Sequence, residues 1–456
     1  MQPLPAQLFE LPPVDDPVGR MLALHARHPD RYPVLLDSAA TGSSLGRHSL
    51  LLAAPGEQLR LGRAALVSGP GSGERFCDRL NEWWRSEGGP APPAPWPFAG
   101  GWFLFLGYEL AAEVEPILRL RLPESPIALV ACAWRMSAAL LHDHLDGRTV
   151  IVAEPGSGTA AEMLREDLAG AQPEPPPAEP FEADALVEDD PARYLESCRR
   201  ALGHIAAGDI YQANLARAWR GRLPAAASVT GIYARLRAAN PGAFAGIAQL
   251  DGLAILSSSP ERLVRVRGRR IDTRPIAGTR PRIAAGDAAS IAELTGSAKE
   301  RAEHVMLIDL ERNDLGRICE SGTVRVDEFM AVESYAHVHH IVSNVSGELR
   351  EEVEPGDVIR ALFPGGTITG CPKVRCMQLI GELEGIGRGV YTGAMGYLGR
   401  DGRLDLNILI RTMTISAGQI EFRAGAGIVA DSDPYRELDE TRAKARGLLR
   451  ALGSAA

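Results

Sequence analysis

The sequence predicts an α+β protein in which strands and helices are mixed. Short apolar runs with the spacing of strands recur along the chain, and amphipathic helical patterns interrupt them without regular alternation. A doubly wound sheet, which requires regular alternation, is therefore not expected. A proline-rich, acidic segment at residues 172–190 predicts an extended connector between an N-terminal β-rich region (1–171) and a C-terminal region (191–456).

The N-terminal region contains mostly predicted strands. Apolar runs bounded by turn residues predict strands over residues 32–36, 49–53, 102–106, 127–134 and 149–153. Helical spacing of apolar residues covers residues 75–87 and 159–170. A second proline-rich stretch, residues 88–97, predicts a surface loop.

The C-terminal region begins with a strongly amphipathic helix at residues 191–207. Strands are predicted over residues 245–249, 253–258, 263–266, 338–343, 394–398, 406–415 and 419–424. Helices are predicted between them, over residues 298–310, 372–383 and 434–452.

The composition restricts the classes of function. A net charge of −9 argues against nucleic-acid binding, because contact with a phosphate backbone needs a basic surface. No segment approaches the roughly 20 apolar residues of a membrane span, and the N-terminus lacks the pattern of a signal peptide, so we expect a cytoplasmic protein. Six cysteines without a CxxC pair predict neither a disulfide framework nor a zinc ribbon.

Lysine is rare in this chain. Of 49 basic residues, only Lys299, Lys373 and Lys444 are lysines. Arginine is thus the default cation, and lysine is expected where a compact ammonium group is needed. Each of the three lies in a segment that has other features of a functional site.

Two predicted helices each carry a pair of glutamates on one face. Glu300 and Glu303 are spaced i, i+3, and so are Glu437 and Glu440. Carboxylates without sulfur ligands would suit Mg²⁺, a hard ion that prefers oxygen. Structural roles remain open, since Glu300 can form a capping box with Ser297 and Glu440 can pair with a lysine four residues later.

Two glycine-rich segments and one arginine are candidates for binding an anion. Residues 363–373 lead into a predicted helix start, where exposed N–H groups and Lys373 could hold an anion. Residues 425–427 follow a predicted strand and would let the backbone approach a ligand closely. Arg411 could bind a carboxylate through two nitrogen atoms. An ordinary glycine loop and a solvated arginine are the structural alternatives.

Three histidines, His337, His339 and His340, lie in one predicted strand segment. On a strand the first two share a face and His340 takes the other. A zinc pair is conceivable, but no HExxH motif or third ligand lies nearby. A single histidine acting as acid or base is the alternative.

Together these segments resemble the chorismate-binding enzymes, a family that includes aminodeoxychorismate, anthranilate, isochorismate and salicylate synthases. The motifs that carry the resemblance are Ser259-Pro-Glu261, Arg274-Pro-Ile-Ala-Gly-Thr279, residues 298–317 with Asn313-Asp314, residues 365–373, Ile410-Arg-Thr412 and Gly425-Ala-Gly427. The resemblance implies two antiparallel sheets packed together, with helices outside and the active site in a cleft. It makes residues 191–456 the chorismate-binding catalytic region.

The resemblance also implies a Mg²⁺ cofactor that would grip one carboxylate of chorismate. By position in the motifs, Glu303 and Glu440 would hold the ion directly. Glu300 and Glu437 would support it through water.

The remaining motif residues would contact the substrate. His340 and Thr367 would line the reacting ring, and Glu261 would be the general acid for the departing hydroxyl. The residues implied in binding the rest of the substrate are Gly278, Thr279, Tyr391, Arg411, Gly425, Ala426, Gly427 and Lys444.

The sequence shows no motif for releasing ammonia from glutamine. It contains no G-x-C-x-G motif of a glutamine amidotransferase. If ammonia is consumed, it must come from solution or from a partner, and the resemblance implies a separate amidotransferase subunit.

Within the family, most motifs favour an aminodeoxychorismate synthase component I of the folate branch, which makes 4-amino-4-deoxychorismate. The favouring segments are Tyr211-Gln-Ala-Asn-Leu215, Gly365-Gly-Thr-Ile-Thr-Gly370 and Val338-His-His340, together with residues 240–244, which lack the SPYMF of tryptophan-inhibited anthranilate synthases. One departure favours anthranilate synthase instead.

That departure is Ala277, which stands where many aminodeoxychorismate synthases carry a lysine that forms a covalent adduct with the ring. A methyl group cannot act as a nucleophile. Anthranilate synthase component I therefore stays open as the alternative, as does tryptophan binding near Ser38. A catalytically inactive regulator is a third hypothesis, against which the intact Glu261 and His340 argue.

Overall fold

A computed structural model describes residues 6–40, 45–63, 65–92, 95–123, 129–173, 186–224, 227–282, 287–334 and 338–453. The side chains of Thr279, Pro281, Ala289, Lys299 and Val338 lie outside this description. So does His337, one of the three histidines that the sequence brought forward.

The described residues form 21 strands. In chain order they are β1 Gln7–Glu10, β2 Val34–Asp37, β3 His48–Gly62, β4 Val67–Ser68, β5 Gly101–Leu106, β6 Leu129–Asp143, β7 Thr149–Ala153, β8 Val187–Glu188, β9 Gln212–Arg222, β10 Phe244–Leu250, β11 Leu253–Ser259, β12 Arg262–Arg267, β13 Arg270–Thr273, β14 Ile276–Pro281, β15 Arg325–Ser334, β16 Val338–Glu348, β17 Gly370–Cys371, β18 Ala394–Gly399, β19 Leu404–Asn407, β20 Thr412–Ser416 and β21 Gln419–Ile428.

Eleven α-helices lie in the same residues. They are α1 Pro17–Arg27, α2 Phe76–Glu87, α3 Ala111–Val114, α4 Gly158–Gly170, α5 Pro191–Ala206, α6 Val229–Ala239, α7 Asp287–Gly296, α8 Ala298–Gly316, α9 Pro355–Leu362, α10 Lys373–Glu384 and α11 Pro434–Ala451. Side chains at the N-caps fix where two of them start: Ser297 accepts a hydrogen bond from the N–H of Glu300, and Asp433 accepts from Tyr435 and Arg436.

The strands form one continuous antiparallel network that has two halves. In the first half the order is β15-β16-β13-β12-β19-β18-β5-β6. Strand β14 pairs with the same edge of β16 as β13 does, at an earlier part of β16. In the second half it is β1-β7-β6-β3-β2-β10-β11-β20-β21-β9. The 15-residue strand β6 pairs in both halves and joins them. Strands from either side of residues 172–190 also pair directly, as β5 does with β18.

The two halves pack face to face through side chains that alternate along the strands. On β5, Phe103 and Phe105 enter the core between the halves, whereas Trp102, Leu104 and Leu106 join the core on the opposite face. The inner core also takes residues from β2, β3, β10, β11 and β18. The α+β class and the packed antiparallel sheets are thereby confirmed.

The helices cover the outer faces of both halves. The first half packs against α2, α8 and α9, and the second half packs against α1, α4, α6 and α11. A smaller core joins α5, α10 and α11 to β9. Among the described residues, no helix has the length and apolar character needed to cross a bilayer.

Several predicted strands have different bounds in the structure, and those predicted at 127–134 and 338–343 continue to Asp143 and Glu348. The strand predicted at 406–415 is two strands, because the chain leaves the first half after Asn407 and joins the second half at Thr412. The strand predicted at 49–53 continues to Gly62 through an irregularity in register after Pro55. The strand predicted to end at residue 424 continues to Ile428, so residues 425–427 lie within it.

Other elements escaped prediction. β1, β9, β15 and α1 were not expected, since arginines interrupt the apolar pattern of β9 and α1 is short. The predicted surface loop at 88–97 contains the buried residue Trp96, which joins the inner core. Within the connector, residues 174–185 lie outside the described part of the chain, and Val187–Glu188 pairs with β9.

Candidate active site

The candidate site lies where the chain passes between the two halves of the sheet network. Glu261 follows β11 at the crossing to β12, and Arg411 precedes β20 at the crossing from β19. Gly278 and His340 come from the neighbouring strands β14 and β16, next to a shift in register. Gly425 comes from β21 of the second half. Both halves therefore contribute side chains to one place.

Glu261 is a buried carboxyl group with an incomplete set of hydrogen-bond partners. Its side chain is 5% exposed, and Oε1 has no partner among the described residues. Burial raises the pKa of Glu261 to about 8, against a smaller opposing effect of the Thr367 hydroxyl. The carboxyl group therefore keeps its proton at neutral pH and can donate it to a substrate.

The backbone around Glu261 is fixed by the segment that carries Arg411. The N–H of Ile408 donates to the carbonyl of Glu261 at 3.0 Å, and the hydroxyl of Ser259 donates to the carbonyl of Ile408 at 2.6 Å. The Ser258 N–H donates to the carbonyl of Arg411 at 3.1 Å. These hydrogen bonds fix the position of the Glu261 backbone relative to the Arg411 backbone.

His340 is a neutral imidazole in this site. Its side chain is 4% exposed, and Nδ1 lies 3.3 Å from the carbonyl oxygen of Gly278. Burial lowers the pKa of His340 to about 4, and the charges of Arg411 and Lys444 act in the same direction. The ring can therefore line a substrate pocket without adding charge to it. Thr279 pairs with His340 along the strands, but its side chain lies outside the described residues.

Arg411 is a cation deep in the site. Burial lowers its pKa, and no carboxylate of the described residues forms an ion pair with its guanidinium group. Its φ of 53° is a left-handed conformation that is uncommon for a residue other than glycine. A desolvated cation without a counter-ion is costly, so the arrangement favours an anionic ligand.

The glycines of β21 allow close approach of polar groups to the strand. A Cβ atom at Gly425 would lie 2.8 Å from the hydroxyl oxygen of Tyr391 and 2.6 Å from the carbonyl of Leu215. A Cβ atom at Gly427 would lie 2.5 Å from Nε2 of Gln212. The predicted cradle at residues 425–427, in which Ala426 is fully buried, is thus part of a strand.

Lys444 connects α11 to this strand. Its Nζ donates to the carbonyl of Gly425 at 3.0 Å and forms an ion pair with Glu440 at 2.8 Å. The predicted i, i+4 pair is therefore present. The charge of Lys444 also acts on the buried groups of the site. It lowers the pKa of Glu261, which burial raises, and it lowers the pKa of His340, which burial also lowers.

The four glutamates implied in metal binding occupy different environments. Glu300 pairs with Arg280 at 3.1 Å and lies 2.8 Å from a Cβ built on Gly278. Glu437 is 8% exposed beside α5, where its charge adds to burial in raising the pKa of the Cys198 thiol to about 12. Glu440 is half-exposed, and Glu303 is partly buried.

The four glutamates fit a hard cation in their chemistry, since all are carboxylates. The glycine at position 278 also lets Glu300 approach strand β14 closely. No group of three or more His, Cys, Asp or Glu side chains in the described ranges is close enough to hold a metal ion. Mg²⁺ therefore stays a prediction.

The structure corrects the role of Lys373. The sequence predicted an anion site from Lys373 and the loop before it, but Nζ forms an ion pair with Asp314 and lies 3.4 Å from the carbonyl of Leu362. The pairing is internal, so this ammonium is not available to a ligand. The hydroxyl of Thr367, from the same loop, lies close enough to Glu261 to lower the pKa of that carboxyl group, although it completes no hydrogen bond of normal geometry within the described residues.

The histidine cluster has no zinc geometry in the described residues. Nδ1 of His339 lies 2.8 Å from the Ser334 hydroxyl, and Nε2 lies 3.3 Å from a carboxylate oxygen of Asp287. His340 faces the site instead, as its position on the strand predicted. His337 lies outside the described part.

Two residues of the site were missed by reasoning from the sequence. Gln212 is 7% exposed beside Gly427, and its Oε1 has no partner in the described part of the chain. Arg388 is 3% exposed; it is held by Glu384 at 2.6 Å, and its guanidinium carbon lies 5.6 Å from the ring centroid of Tyr391. Gln212 lies in a motif that served only to sort family members, whereas Arg388 carries no local signal.

A proton donor, a neutral imidazole and a cation without an ion-pair partner in the described residues meet near the crossing between the two halves, an arrangement that suits a small anionic substrate. The family model described as chorismate binding enzyme matches residues 63–450. The chain therefore belongs to the chorismate-binding enzyme family.

The relatives are divided between two activities. The chain is 41% identical over 367 residues to an anthranilate synthase component I-like protein of Synechocystis sp., covering 79% of this chain and 74% of that one. It is 39% identical over 451 residues to an aminodeoxychorismate synthase of Streptomyces griseus, covering 93% of this chain but only 61% of that longer protein.

A solved structure agrees with the fold. Anthranilate synthase component I from Streptococcus pneumoniae superimposes with a TM-score of 0.78 at 30% identity, covering 90% of this chain and 93% of that one. The comparisons therefore establish a chorismate-using enzyme of this fold and leave the choice of product to the residues of the site.

Proposed function

We propose that this chain is a cytoplasmic aminodeoxychorismate synthase component I, which converts chorismate and ammonia to 4-amino-4-deoxychorismate and water in the folate branch. The observation that carries the proposal is the buried, protonated Glu261 carboxyl group at the crossing between the halves, where Arg411 is a cation without a counter-ion among the described residues. Chorismate has two carboxylates and a ring hydroxyl, which are the groups that such a site can bind and protonate.

The residues have distinct roles in this reaction. Arg411 and the hydroxyl of Tyr391 would bind one carboxylate over the glycines of β21. Glu261 would donate its proton to the ring hydroxyl, which leaves as water, while ammonia bonds to the ring. The nitrogen then loses a proton, which restores the acid form of Glu261. His340 and Thr367 would line the ring and exclude solvent.

Mg²⁺ would be held by Glu303 and Glu440, with Glu300 and Glu437 supporting it through water. When bound, the ion would neutralise the second carboxylate of the substrate. A separate glutamine amidotransferase would supply ammonia, in keeping with the description of two of the relatives as component I.

The alternative is anthranilate synthase component I, and one observation favours it. Ala277 is 9% exposed on β14 and lies opposite Ile341, at the position where a lysine would be expected for covalent catalysis. Without that lysine, ammonia could attack ring C2 and give anthranilate with release of pyruvate. We favour aminodeoxychorismate because the segments at 211–215 and 365–370 resemble that enzyme.

The test is incubation of the pure protein with chorismate, MgCl₂ and ammonium, with separation of the products. A product that an added aminodeoxychorismate lyase converts to p-aminobenzoate supports the proposal. Anthranilate accompanied by pyruvate would replace it with the alternative.

Substitution of a metal-binding carboxylate tests the proposed cofactor. Glu303→Gln is expected to abolish Mg²⁺-dependent turnover and to weaken Mg²⁺ binding measured by calorimetry, because an amide is a poor ligand for a hard cation. Asp309→Asn is the matched control, since Asp309 is exposed on the same helix and pairs with Arg312. Full activity of Glu303→Gln would refute the assignment of the metal.

A further inference from the structure

Arg388 is a buried guanidinium group beside the candidate site, and each of its N–H groups has an acceptor. It lies in the loop between α10 and β18 and is 3% exposed. Nε and Nη2 donate to the two carboxylate oxygens of Glu384, at 3.0 and 2.6 Å. Nη2 also donates to the carbonyl of Asn214 at 2.6 Å. Nη1 donates to the carbonyl of Ile368 at 3.2 Å and to the hydroxyl of Thr392 at 3.3 Å. All five donors of the guanidinium group are thus used.

The loop that carries Thr367 is held through three consecutive carbonyl groups. Nδ2 of Asn214 donates to the carbonyl of Thr367 at 3.1 Å, and the backbone N–H of Asn214 donates to the carbonyl of Thr369 at 2.9 Å. The carbonyl of Ile368, between them, accepts from Arg388. Because Arg388 also holds the carbonyl of Asn214, one side chain supports this backbone both directly and through one neighbour.

The same guanidinium group lies over two tyrosine rings. Its carbon is 5.0 Å from the ring centroid of Tyr108 and 5.6 Å from that of Tyr391, within the range of cation–π attraction. The N–H of Tyr391 donates to the carbonyl of Arg388 at 3.2 Å. The Tyr391 hydroxyl lies close to β21, since a Cβ atom at Gly425 would be 2.8 Å from it. Arg388 therefore contacts both the residue proposed to bind a carboxylate and the loop proposed to line the ring.

Two glutamates anchor Arg388 itself. The side chain of Glu384 is 4% exposed, and its Oε1 also accepts from the N–H of Ala216 at 2.9 Å. Glu109 is 6% exposed and accepts from the backbone N–H of Arg388 at 2.7 Å and from that of Gly389 at 3.1 Å. The protein therefore sets the position of the guanidinium group before any substrate binds.

We propose that Arg388 is a positioning residue for the reaction: its guanidinium group holds the backbone of Thr367 and the ring of Tyr391 in one fixed arrangement. This inference rests on the proposed contacts of Thr367 and Tyr391 with the substrate. It also explains why an arginine stands here. A lysine has three donors on one nitrogen atom and cannot satisfy acceptors on four residues.

The kinetic test is Arg388→Lys, which keeps the charge and loses the planar set of donors. Chorismate consumption is the assay, so that either product is counted. We expect kcat to fall about 10- to 100-fold and KM for chorismate to rise about tenfold, because small displacements of Thr367 and Tyr391 impair both catalysis and binding. A partly unfolded enzyme would instead lose kcat in proportion to its folded fraction and keep its KM.

Arg135→Lys is the matched control. Arg135 binds both carboxylate oxygens of Glu154, donates to the carbonyl of Gly101 at 3.0 Å and lies 5.0 Å from the ring centroid of Trp102. It contacts no residue of the proposed site. This variant should lower the melting temperature and leave kcat and KM near those of wild type. If Arg388→Lys behaves in the same way, Arg388 has only a structural role and the proposal is wrong.

Hydrogen exchange followed by mass spectrometry tests the support of the loop without turnover. In folded Arg388→Lys, amides of residues 366–370 and of the start of β9 should exchange about tenfold faster than in wild type, whereas Arg135→Lys should keep wild-type exchange there. Unchanged exchange in Arg388→Lys would overturn the proposal. A wild-type protein that consumes no chorismate would refute the proposed function instead, so the two failures give different results.

Asn214→Ala covers the case in which Arg388→Lys does not fold. This change removes the side-chain hydrogen bond to the carbonyl of Thr367 and leaves the backbone bonds of Asn214 in place. We expect faster exchange in residues 366–370 and a lower kcat, both by a smaller factor than in Arg388→Lys. Wild-type exchange and wild-type kcat in Asn214→Ala would contradict the proposal.

Discussion

Glu261→Gln is expected to lower kcat by about 10³-fold and at the same time to stabilise the folded protein at neutral pH. The loss of activity follows because an amide cannot donate a proton to the departing hydroxyl. The gain in stability follows because a carboxyl group buried with one unpartnered oxygen is costly to ionise, whereas glutamine carries no charge.

The stability of the folded wild-type protein should depend on pH in a direction set by the pKa of Glu261. The pKa of Glu261 is about 8 in the folded protein against an ordinary value of 4.5, so the folded state binds more protons than the unfolded state between those pH values. Wild-type stability should therefore fall as pH rises through this window, by up to a few kcal/mol. The Glu261→Gln protein lacks this loss, and its advantage in melting temperature should grow from pH 5 to pH 8.

A matched control is available in Glu154, which is also buried but is ion-paired with Arg135 at 2.5 Å. Glu154→Gln should lower the melting temperature and leave kcat near that of wild type. If Glu261→Gln instead melts at a lower temperature than wild type at pH 8 and keeps its turnover, Glu261 is an ordinary structural residue.

Arg411→Gln is expected to lower kcat/KM by about 100- to 1000-fold, mostly through a higher KM for chorismate. Removal of one partner of a desolvated charge pair typically costs several kcal/mol of binding free energy. The empty protein should not be destabilised, because the described residues offer Arg411 no carboxylate partner to lose.

Arg217→Gln is the control for this substitution. Arg217 is 3% exposed, and it pairs with Glu188 at 3.3 Å. Its loss should therefore lower the melting temperature while the KM for chorismate stays constant. An Arg411→Gln enzyme with an unchanged KM would show that another group binds the carboxylate.

Much of the fold was predictable because local patterns decide it. The caps at Ser297 and Asp433 and the apolar alternation of β5 follow from short segments of sequence. The crossing of the chain between β19 and β20 does not, because residues 406–415 were predicted to be one continuous strand. Which half of the network each part joins is decided by distant strands, β12 for Asp405 and β11 for Met413.

Some residues of the candidate site could be predicted from their spacing, and others only from the resemblance to the family. Spacing alone revealed the glutamate pairs and the separate face of His340. The roles of Glu261 and Thr367 came from the resemblance, since a single glutamate after a strand gives no local signal. Lys373 was misread because its partner, Asp314, is 59 residues away in the sequence and meets it only in the folded chain.

The central claim is that nitrogen becomes attached to ring C4 of chorismate. The most direct measurement is an NMR analysis of the product formed from chorismate and ¹⁵N-ammonium by the wild-type protein with Mg²⁺. We predict coupling between ¹⁵N and C4, with the enolpyruvyl group still attached. Nitrogen on C2 of an aromatic ring, together with free pyruvate, would contradict the claim and establish anthranilate synthesis.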